Sequence, residues 1–139
     1  MSHPGPRLIL GAGRNSGHYT TPPRPIDVTI DRAKIAGADH RLNLTRQRIP
    51  YPDGHFGEVH FEFFPYDQLV ANNAFALREA ARVTAAGGRL MIDTGKPLDA
   101  TQLTQLHQQI RSVLEAEGFT VTENTAVMHL QFEAVRGSP

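Results

Sequence analysis

Residues 8–25, "LILGAGRNSGHYTTPPRP", begin as a short apolar strand that runs into a turn with glycines at positions 11 and 13. In α/β domains a turn of this kind normally opens a helix. Here Pro22, Pro23 and Pro25 stand where that helix would continue, and proline inside a helix removes a backbone hydrogen bond and clashes with the preceding turn. The stretch therefore predicts a strand followed by a crossover in loop conformation.

The rest of the chain alternates apolar strands with two helical patterns. The apolar residues Val70, Ala74, Leu77 and Ala81 recur at helical spacing, and the helix they predict would end at the Gly87-Gly88 pair. A second stripe runs from Leu103 to Leu114, with Gly118 after it. Strands are predicted at 7–10, 26–30, 38–44, 58–64, 89–93, 119–124 and 127–135.

This order indicates a single α/β domain over residues 1–139. Its sheet is predicted to be mostly parallel with a C-terminal antiparallel hairpin, and its front-half helices are predicted to be reduced to loops. One sheet face should therefore be thinly covered.

Composition narrows the function classes. The 139 residues include 14 basic and 14 acidic side chains, so net charge does not indicate nucleic acid as a partner. There is no cysteine, which excludes thiolate chemistry, and the histidines lack metal-ligand spacing, so no metal site is predicted. Neither a membrane span nor a signal peptide is apparent, and a cytoplasmic protein is expected.

Five stretches, in this order, resemble the class I S-adenosylmethionine-dependent methyltransferases, and the resemblance covers residues 8–135. They are "LILGAG" (8–13), "VTID" (28–31), "IPYPDGHFGEV" (49–59), "ALREAARVTAAGGRLMI" (76–92) and "LEAEGF" (114–119), the last followed by two strands. The resemblance implies a Rossmann-like methyltransferase sheet with S-adenosylmethionine as the cofactor. A helix-less first crossover is similar to that of a small methyltransferase-like subgroup of the family.

The resemblance also implies where the cofactor binds. The backbone of Gly11, Ala12 and Gly13 would approach its methionine end, although the turn also reads as a plain strand-to-loop connection. The family usually has an acidic residue at the position of Ile9, where it holds the cofactor's ammonium group, so a replacement is needed, and Asn15, Ser16 and His18 are the candidates.

The ribose and adenine would be held by residues after the second and third strands. Asp31 would accept hydrogen bonds from the ribose hydroxyls and Asn43 one from the adenine amino group, and Leu42 or Leu44 would pack on the adenine ring. For Asp31 and Asn43, a turn-forming role is the alternative.

The segment "FEFFPYD" (61–67) stands where this family places the reacting methyl group. Tyr66 could orient a nucleophile there, and Glu62 or Asp67 could accept its proton. Packing is the alternative for Tyr66 and Glu62, and the phenylalanines of this segment are predicted to be core. His60 is predicted to be a satisfied buried or edge histidine, and Glu79 with Arg82 a surface i,i+3 pair.

Three functions remain open at this point. The first is methyl transfer to a small-molecule or protein acceptor. The second is a catalytically inactive, methyltransferase-like binding module that acts through a protein partner or a second copy of the chain. The third is a pyridine-nucleotide oxidoreductase, suggested by the glycines at 11, 13 and 17 but disfavoured by the prolines that follow them.

Overall fold

A computed structural model describes residues 6–10, 28–31, 40–61, 64, 66–93, 100–124 and 131–137. Within these ranges seven strands and two helices follow one another along the chain. They are β1 (Arg7–Leu10), β2 (Val28–Asp31), β3 (His40–Arg41), β4 (Phe56–Phe61), α1 (Tyr66–Val83), β5 (Thr84–Asp93), α2 (Ala100–Ala116), β6 (Phe119–Asn124) and β7 (Gln131–Arg136).

The strands form one sheet in the order β3-β2-β1-β4-β5-β7-β6. Strands β1 to β5 are parallel, whereas β7 runs antiparallel to both β5 and β6. The mostly parallel sheet and the C-terminal antiparallel hairpin predicted from the sequence are thus confirmed. A doubly wound dinucleotide-binding sheet has the order 3-2-1-4-5-6, so the inserted antiparallel β7 separates this topology from that one.

The two faces of the sheet differ in polarity. Apolar side chains that alternate along the strands join α1 and α2 in one core, and they include Leu8, Leu10, Val59, Phe61, Leu90, Ile92, Phe132 and Ala134. The residues between them point to the opposite face, because side chains alternate along a strand. That face carries charge on four adjacent strands, with Arg7, Glu58, Arg89 and Glu133.

A charged face is unusual for a parallel sheet, whose strands are normally apolar on both sides because helices cover both. Arg89 Nη2 donates to Glu133 Oε1 over 2.9 Å, and Arg7 and Arg89 are each in register with Glu58. The charges thus alternate in sign across the sheet, so no charged side chain lies directly beside one of like sign, which would be destabilising.

The third strand is shorter than predicted. Only His40 and Arg41 pair with β2, and the predicted continuation through Leu44 is wrong. The reason is local: the side-chain oxygen of Asn43 accepts hydrogen bonds from the amide and the hydroxyl of Thr45. This turn competes with strand pairing, as asparagine turns commonly do. The described crossover 42–55 contains no helix, as predicted, whereas the crossovers 11–27 and 32–39 lie outside the described residues.

Helix α1 is interrupted where the sequence predicts a continuous helix. Ala71 has extended backbone angles, and Asn72, Asn73 and Ala74 all have positive φ. A left-handed conformation costs a non-glycine residue about 1–2 kcal/mol, and asparagine tolerates it best. The side-chain Nδ2 of Asn72 donates to the Thr45 carbonyl oxygen over 2.8 Å, which ties the kink to the turn after β3.

The predicted glycine cap at the end of α1 is also wrong. The helix ends at Val83, and Gly87 and Gly88 lie inside β5, where the register with β4 shifts between Phe56 and Glu58. Three partners from elsewhere bond the last carbonyls of the helix: the Thr84 hydroxyl bonds Ala80, the Arg136 guanidinium bonds Ala81, and the Gly54 amide bonds Arg82. Because these groups satisfy the carbonyls, no glycine is required at the helix terminus.

The two glycines of β5 serve different purposes, which predicts different costs for alanine. At Gly88 an added Cβ would lie 2.8 Å from the Ala85 carbonyl oxygen and 3.0 Å from that of Gly57, so Gly88→Ala is expected to cost about 2–3 kcal/mol through overpacking. At Gly87 a Cβ meets nothing within 4 Å but φ is +77°, so Gly87→Ala is expected to cost about 1 kcal/mol. Urea unfolding of both variants checks this order, and equal costs would contradict the close approach at Gly88.

Candidate functional site

The carboxyl ends of the five parallel strands meet at one edge of the sheet. They end at Leu10, Asp31, Arg41, Phe61 and Asp93. The chain order reverses between β1 and β4, because β2 and β3 lie on one side of β1 while β4 and β5 lie on the other. In open α/β sheets, ligands bind outside the carboxyl ends of the strands at such a reversal.

The strand ends that carry or precede several sequence-predicted site residues lie at this edge. Leu10 pairs with Phe61 in register, and Leu10 immediately precedes the glycine turn, while Phe61 immediately precedes Glu62. Asp31 is the last residue of β2, and Tyr66 is the first residue of α1. The topology therefore brings together, at one edge of the sheet, residues as far apart in the chain as Leu10 and Tyr66.

Several of these residues can be placed only by their position in the chain. Gly11, Ala12, Gly13, Asn15 and Glu62 lie outside the described residues. For Asp31 and Tyr66 the structure describes the backbone, and their predicted roles remain predictions.

Asn43 is described in full and its side-chain oxygen is engaged. That oxygen accepts the Thr45 amide at 3.1 Å and the Thr45 hydroxyl at 2.7 Å, while the Asn43 amide donates to Gln47 Oε1. An adenine amino group could bond to the same oxygen only by displacing Thr45, because an amide oxygen has two lone pairs. The turn-forming role left open by the sequence is therefore present in the structure.

Leu44 and Ile9 are core residues. Leu44 is 4% exposed and belongs to the core cluster, so it presents little free surface to a ring. Ile9 is fully buried and lies in register with Thr29 on one side and His60 on the other. The position at which the family has its acid is thus buried, on the sheet face that also carries His60.

The aromatic residues after β4 pack as predicted where they are described. Phe61 and Phe64 are buried, and their rings meet edge to face with centroids 4.9 Å apart. The Phe64 amide donates to the Asp93 carbonyl oxygen over 2.9 Å. This bond holds the segment that leads to Tyr66 against the end of β5.

Asp93 is a residue that the sequence analysis missed. It is buried, with 3% exposure, at the carboxyl end of β5. The signal was available in the sequence, because the apolar strand "RLMID" ends in an acid at Asp93 just as "VTID" ends in an acid at Asp31. Its place beside the segment after β4 makes it a further carboxylate of the candidate site.

Glu58 and His60 form a second feature near this edge. His60 is a buried residue whose Nε2 lies 3.0 Å from Glu58 Oε1. Burial lowers the pKa of His60 below its ordinary value of 6.5, although the Glu58 carboxylate opposes that shift. Burial alone would raise the pKa of Glu58, but the His60 hydrogen bond and the charges of Arg89 and Arg7 lower it.

The expectation that His60 is fully satisfied is wrong in one respect. Its Nδ1 is buried and has no hydrogen-bond partner in the part of the chain that the structure describes. A buried polar atom without a partner costs about 1–3 kcal/mol and calls for an explanation. The spacing Glu-x-His on a strand, which places both side chains on one face, was the available signal.

Glu79 and Arg82 hold the loop that leads into β4. The Arg82 guanidinium donates to both Glu79 oxygens and to the carbonyl oxygens of Ile49 and Tyr51, and Glu79 accepts the Ile49 amide at 2.8 Å. Glu79 is 8% exposed. The prediction of a surface i,i+3 pair is therefore wrong, and these two residues link the "ALREAARV" helix to the "IPYPDG" loop.

The described residues show neither a metal site nor a membrane span. No group of three or more histidine, cysteine or acidic side chains is placed to hold a metal ion within these ranges. Among the helices described, none is long and apolar enough to cross a membrane.

Comparison with known proteins shows similarity in structure rather than in sequence. No protein-family model and no curated protein matches the chain. Among solved structures, an assigned S-adenosylmethionine-dependent methyltransferase of Methanococcus maripaludis is similar with a TM-score of 0.68 and 13% identity, over 97% of this chain and 78% of that one.

Two further structures are similar over most of their length. The sugar N-methyltransferase KedS8 of Streptoalloteichus has a TM-score of 0.66 at 13% identity, over 96% of this chain and 81% of that one. A Haloferax volcanii methyltransferase structure, solved as a complex with the Trm112 activator, has a TM-score of 0.62 at 12% identity, over 96% and 83% of the two chains. At these identities the likeness concerns the fold, and the chain has the fold of the class I S-adenosylmethionine-dependent methyltransferases.

Proposed function

We propose that the protein is an S-adenosylmethionine-dependent methyltransferase. The observation that carries the proposal is the strand order, which reverses between β1 and β4 and so brings the carboxyl ends of β1, β2 and β4 to one edge of the sheet. In the sequence a glycine turn follows β1, an acid ends β2 and an aromatic segment follows β4, and the family resemblance implies these residue types for an adenosyl sulfonium site.

The cofactor would be held mainly by backbone and by one acid. The turn at Gly11, Ala12 and Gly13 leaves room for the backbone amides to approach its amino-acid end, and Asn15 would stand in for the acid that Ile9 replaces. Asp31 would accept the ribose hydroxyls. Asn43 would border the adenine, with the Thr45 hydroxyl giving way to the adenine amino group.

The protein's main task in methyl transfer is alignment, because the bound sulfonium is already reactive. The chain after β4 is held by the bond between Phe64 and the Asp93 carbonyl oxygen, which supports a fixed position for Tyr66. Tyr66 would orient the acceptor, and Glu62 would accept its proton. The acceptor is a small molecule or a protein.

A second candidate is a catalytically inactive module that works through a partner. Its supporting observations are the buried Ile9 in place of an acid and the engaged oxygen of Asn43. The Haloferax volcanii methyltransferase is bound to an activator protein, which makes a partner protein a reasonable expectation for either candidate.

Thermal unfolding with added ligand separates the two candidates. A ligand that binds only the folded state stabilises it by about 2.7 kcal/mol at a concentration one hundred times its Kd. We therefore expect S-adenosylmethionine and S-adenosylhomocysteine to raise the Tm, and NADH at the same concentration to leave it unchanged. An unchanged Tm with both adenosyl ligands would favour the inactive module, and a shift with NADH alone would favour the oxidoreductase.

A further inference from the structure

We infer that Glu58 and His60 form a proton-accepting pair whose ligand is a neutral hydroxyl group on an apolar body, and that this ligand is the methyl acceptor. This inference rests on the proposed function and identifies the class of its second substrate.

The geometry leaves one ring nitrogen of His60 available. A carboxylate can only accept hydrogen bonds, so the 3.0 Å contact with Glu58 Oε1 requires a proton on His60 Nε2. In the neutral ring Nδ1 then carries a lone pair and is an acceptor. Since Nδ1 is buried and unpartnered among the described residues, a donor supplied by a ligand would satisfy it.

The surroundings of His60 define that ligand. Ile9 on β1 and Met91 on β5 lie in register with His60 on either side, so the ring stands between apolar side chains. The charged groups on the same face are Glu58, which binds the ring, Arg7 and Arg89, which flank Glu58 in register, and Glu133 and Asp93 beyond them. Because carboxylates and guanidinium groups are both present, charge does not select the ligand. Burial between apolar side chains disfavours an ammonium ion, whereas a neutral hydroxyl with an apolar body meets no such penalty.

His60 also lies close to the candidate site. It is the penultimate residue of β4, about 3.3 Å of strand rise from the edge where the sheet order reverses. Burial lowers the pKa of the ring, which keeps it neutral near pH 7 and able to take up a proton.

The hydroxyl oxygen of the acceptor would form a bond to the methyl carbon as the carbon–sulfur bond of the sulfonium breaks, and the bonding pair would stay on sulfur. The hydroxyl proton moves to His60 Nδ1, which gives an imidazolium that Glu58 stabilises. The products are a methyl ether, S-adenosylhomocysteine and a protonated His60 that later returns its proton to water.

Nitrogen-15 NMR of the histidine rings tests the pair without any need for turnover. At pH 7 we expect His60 to be neutral with its proton on Nε2. Phenol, added with saturating S-adenosylhomocysteine, is expected to shift the Nδ1 resonance, whereas anisole, which has the same ring but no hydroxyl group, leaves it in place. The exposed ring of His55 should respond to neither.

Two variants assign the resonances and test the role of Glu58. His60→Gln assigns the resonances, and Glu58→Gln should allow a detectable fraction of the Nδ1-protonated tautomer and weaken the phenol response. A charged His60 at pH 7, a proton on Nδ1 in the wild type, or equal responses to phenol and anisole would each overturn the inference.

The proposed function is tested separately in the same samples. If S-adenosylhomocysteine binds and Nδ1 ignores phenol, the inference fails while the proposed function stands. If S-adenosylhomocysteine does not bind, the proposed function fails and the role of the pair in methyl transfer fails with it, even where phenol shifts Nδ1.

Discussion

Replacing Arg82 with methionine is expected to lower the free energy of unfolding by about 3 kcal/mol, because removing one partner of a buried ion pair leaves the other charge uncompensated. Arg82 donates to Glu79 through Nε and Nη2, both over 3.0 Å, to the Ile49 and Tyr51 carbonyl oxygens over 2.8 Å, and to Asp53 over 2.9 Å. Methionine keeps the apolar stem and loses every one of these bonds.

Three further variants identify the cause of that loss. Arg78→Met, on the exposed side of the same helix, should change stability by less than about 0.5 kcal/mol. Arg82→Lys keeps the charge but not the planar fork, so its loss of stability should lie between those of Arg78→Met and Arg82→Met. The double replacement of Glu79 and Arg82 by methionine should be less destabilising than Arg82→Met alone. If urea unfolding shows that Arg82→Met lowers the free energy of unfolding no more than Arg78→Met does, the bonds that Arg82 makes to Glu79 and to the loop before β4 do not stabilise the fold.

The ion pair between Glu79 and Arg82 also predicts that the stability of the fold depends on pH. Burial alone would raise the pKa of Glu79, but the hydrogen bonds from Arg82 and the Ile49 amide lower it below its ordinary value of 4.5. A carboxyl with a lowered folded-state pKa stabilises the fold above its unfolded pKa and loses that contribution as the pH falls through the folded value. Stability should therefore decline below about pH 4.5, and Glu79→Gln should flatten that decline.

Changing Asp31 to asparagine is expected to weaken S-adenosylhomocysteine binding by about 10- to 100-fold. The carboxylate would accept both ribose hydroxyls, and hydrogen bonds to a charged group contribute about 1.5–3 kcal/mol. Asparagine keeps the size and removes the charge. Isothermal titration calorimetry measures the change.

Glu115→Gln provides the matched control for this loss. Glu115 is an exposed acid on α2, away from the strand edge, and its ion pair with Arg111 is long at 3.4 Å. Its replacement should leave the Kd unchanged, and both variants should unfold like the wild type. Equal Kd values for Asp31→Asn and the wild type would remove Asp31 from the site.

The sequence predicted the features that depend on local pattern. Strand β1, strand β6, the helical regions and the antiparallel hairpin follow from apolar spacing and from turns, which act over a few residues. The errors arose where a distant or competing partner decided the outcome. The end of α1 depends on Arg136, 55 positions from Ala81, and the role of Arg82 depends on Ile49, 33 positions away.

The edge proposed to carry the site was predictable for a related reason. Strand ends meet at one edge of a parallel sheet, so Leu10 and Asp31 could be assigned to that edge from the order of the strands alone. The engaged oxygen of Asn43 could not be foreseen, because turn and strand compete closely at that residue. The unpartnered Nδ1 of His60 required coordinates, since burial and pairing together define it.

Calorimetric titration of the folded wild-type protein with S-adenosylhomocysteine tests the central claim most directly. The account predicts a saturable heat with one ligand bound per chain, weakened by Asp31→Asn and unchanged by Glu115→Gln. No heat at millimolar ligand, with protein that unfolds cooperatively in the same buffer, would contradict it.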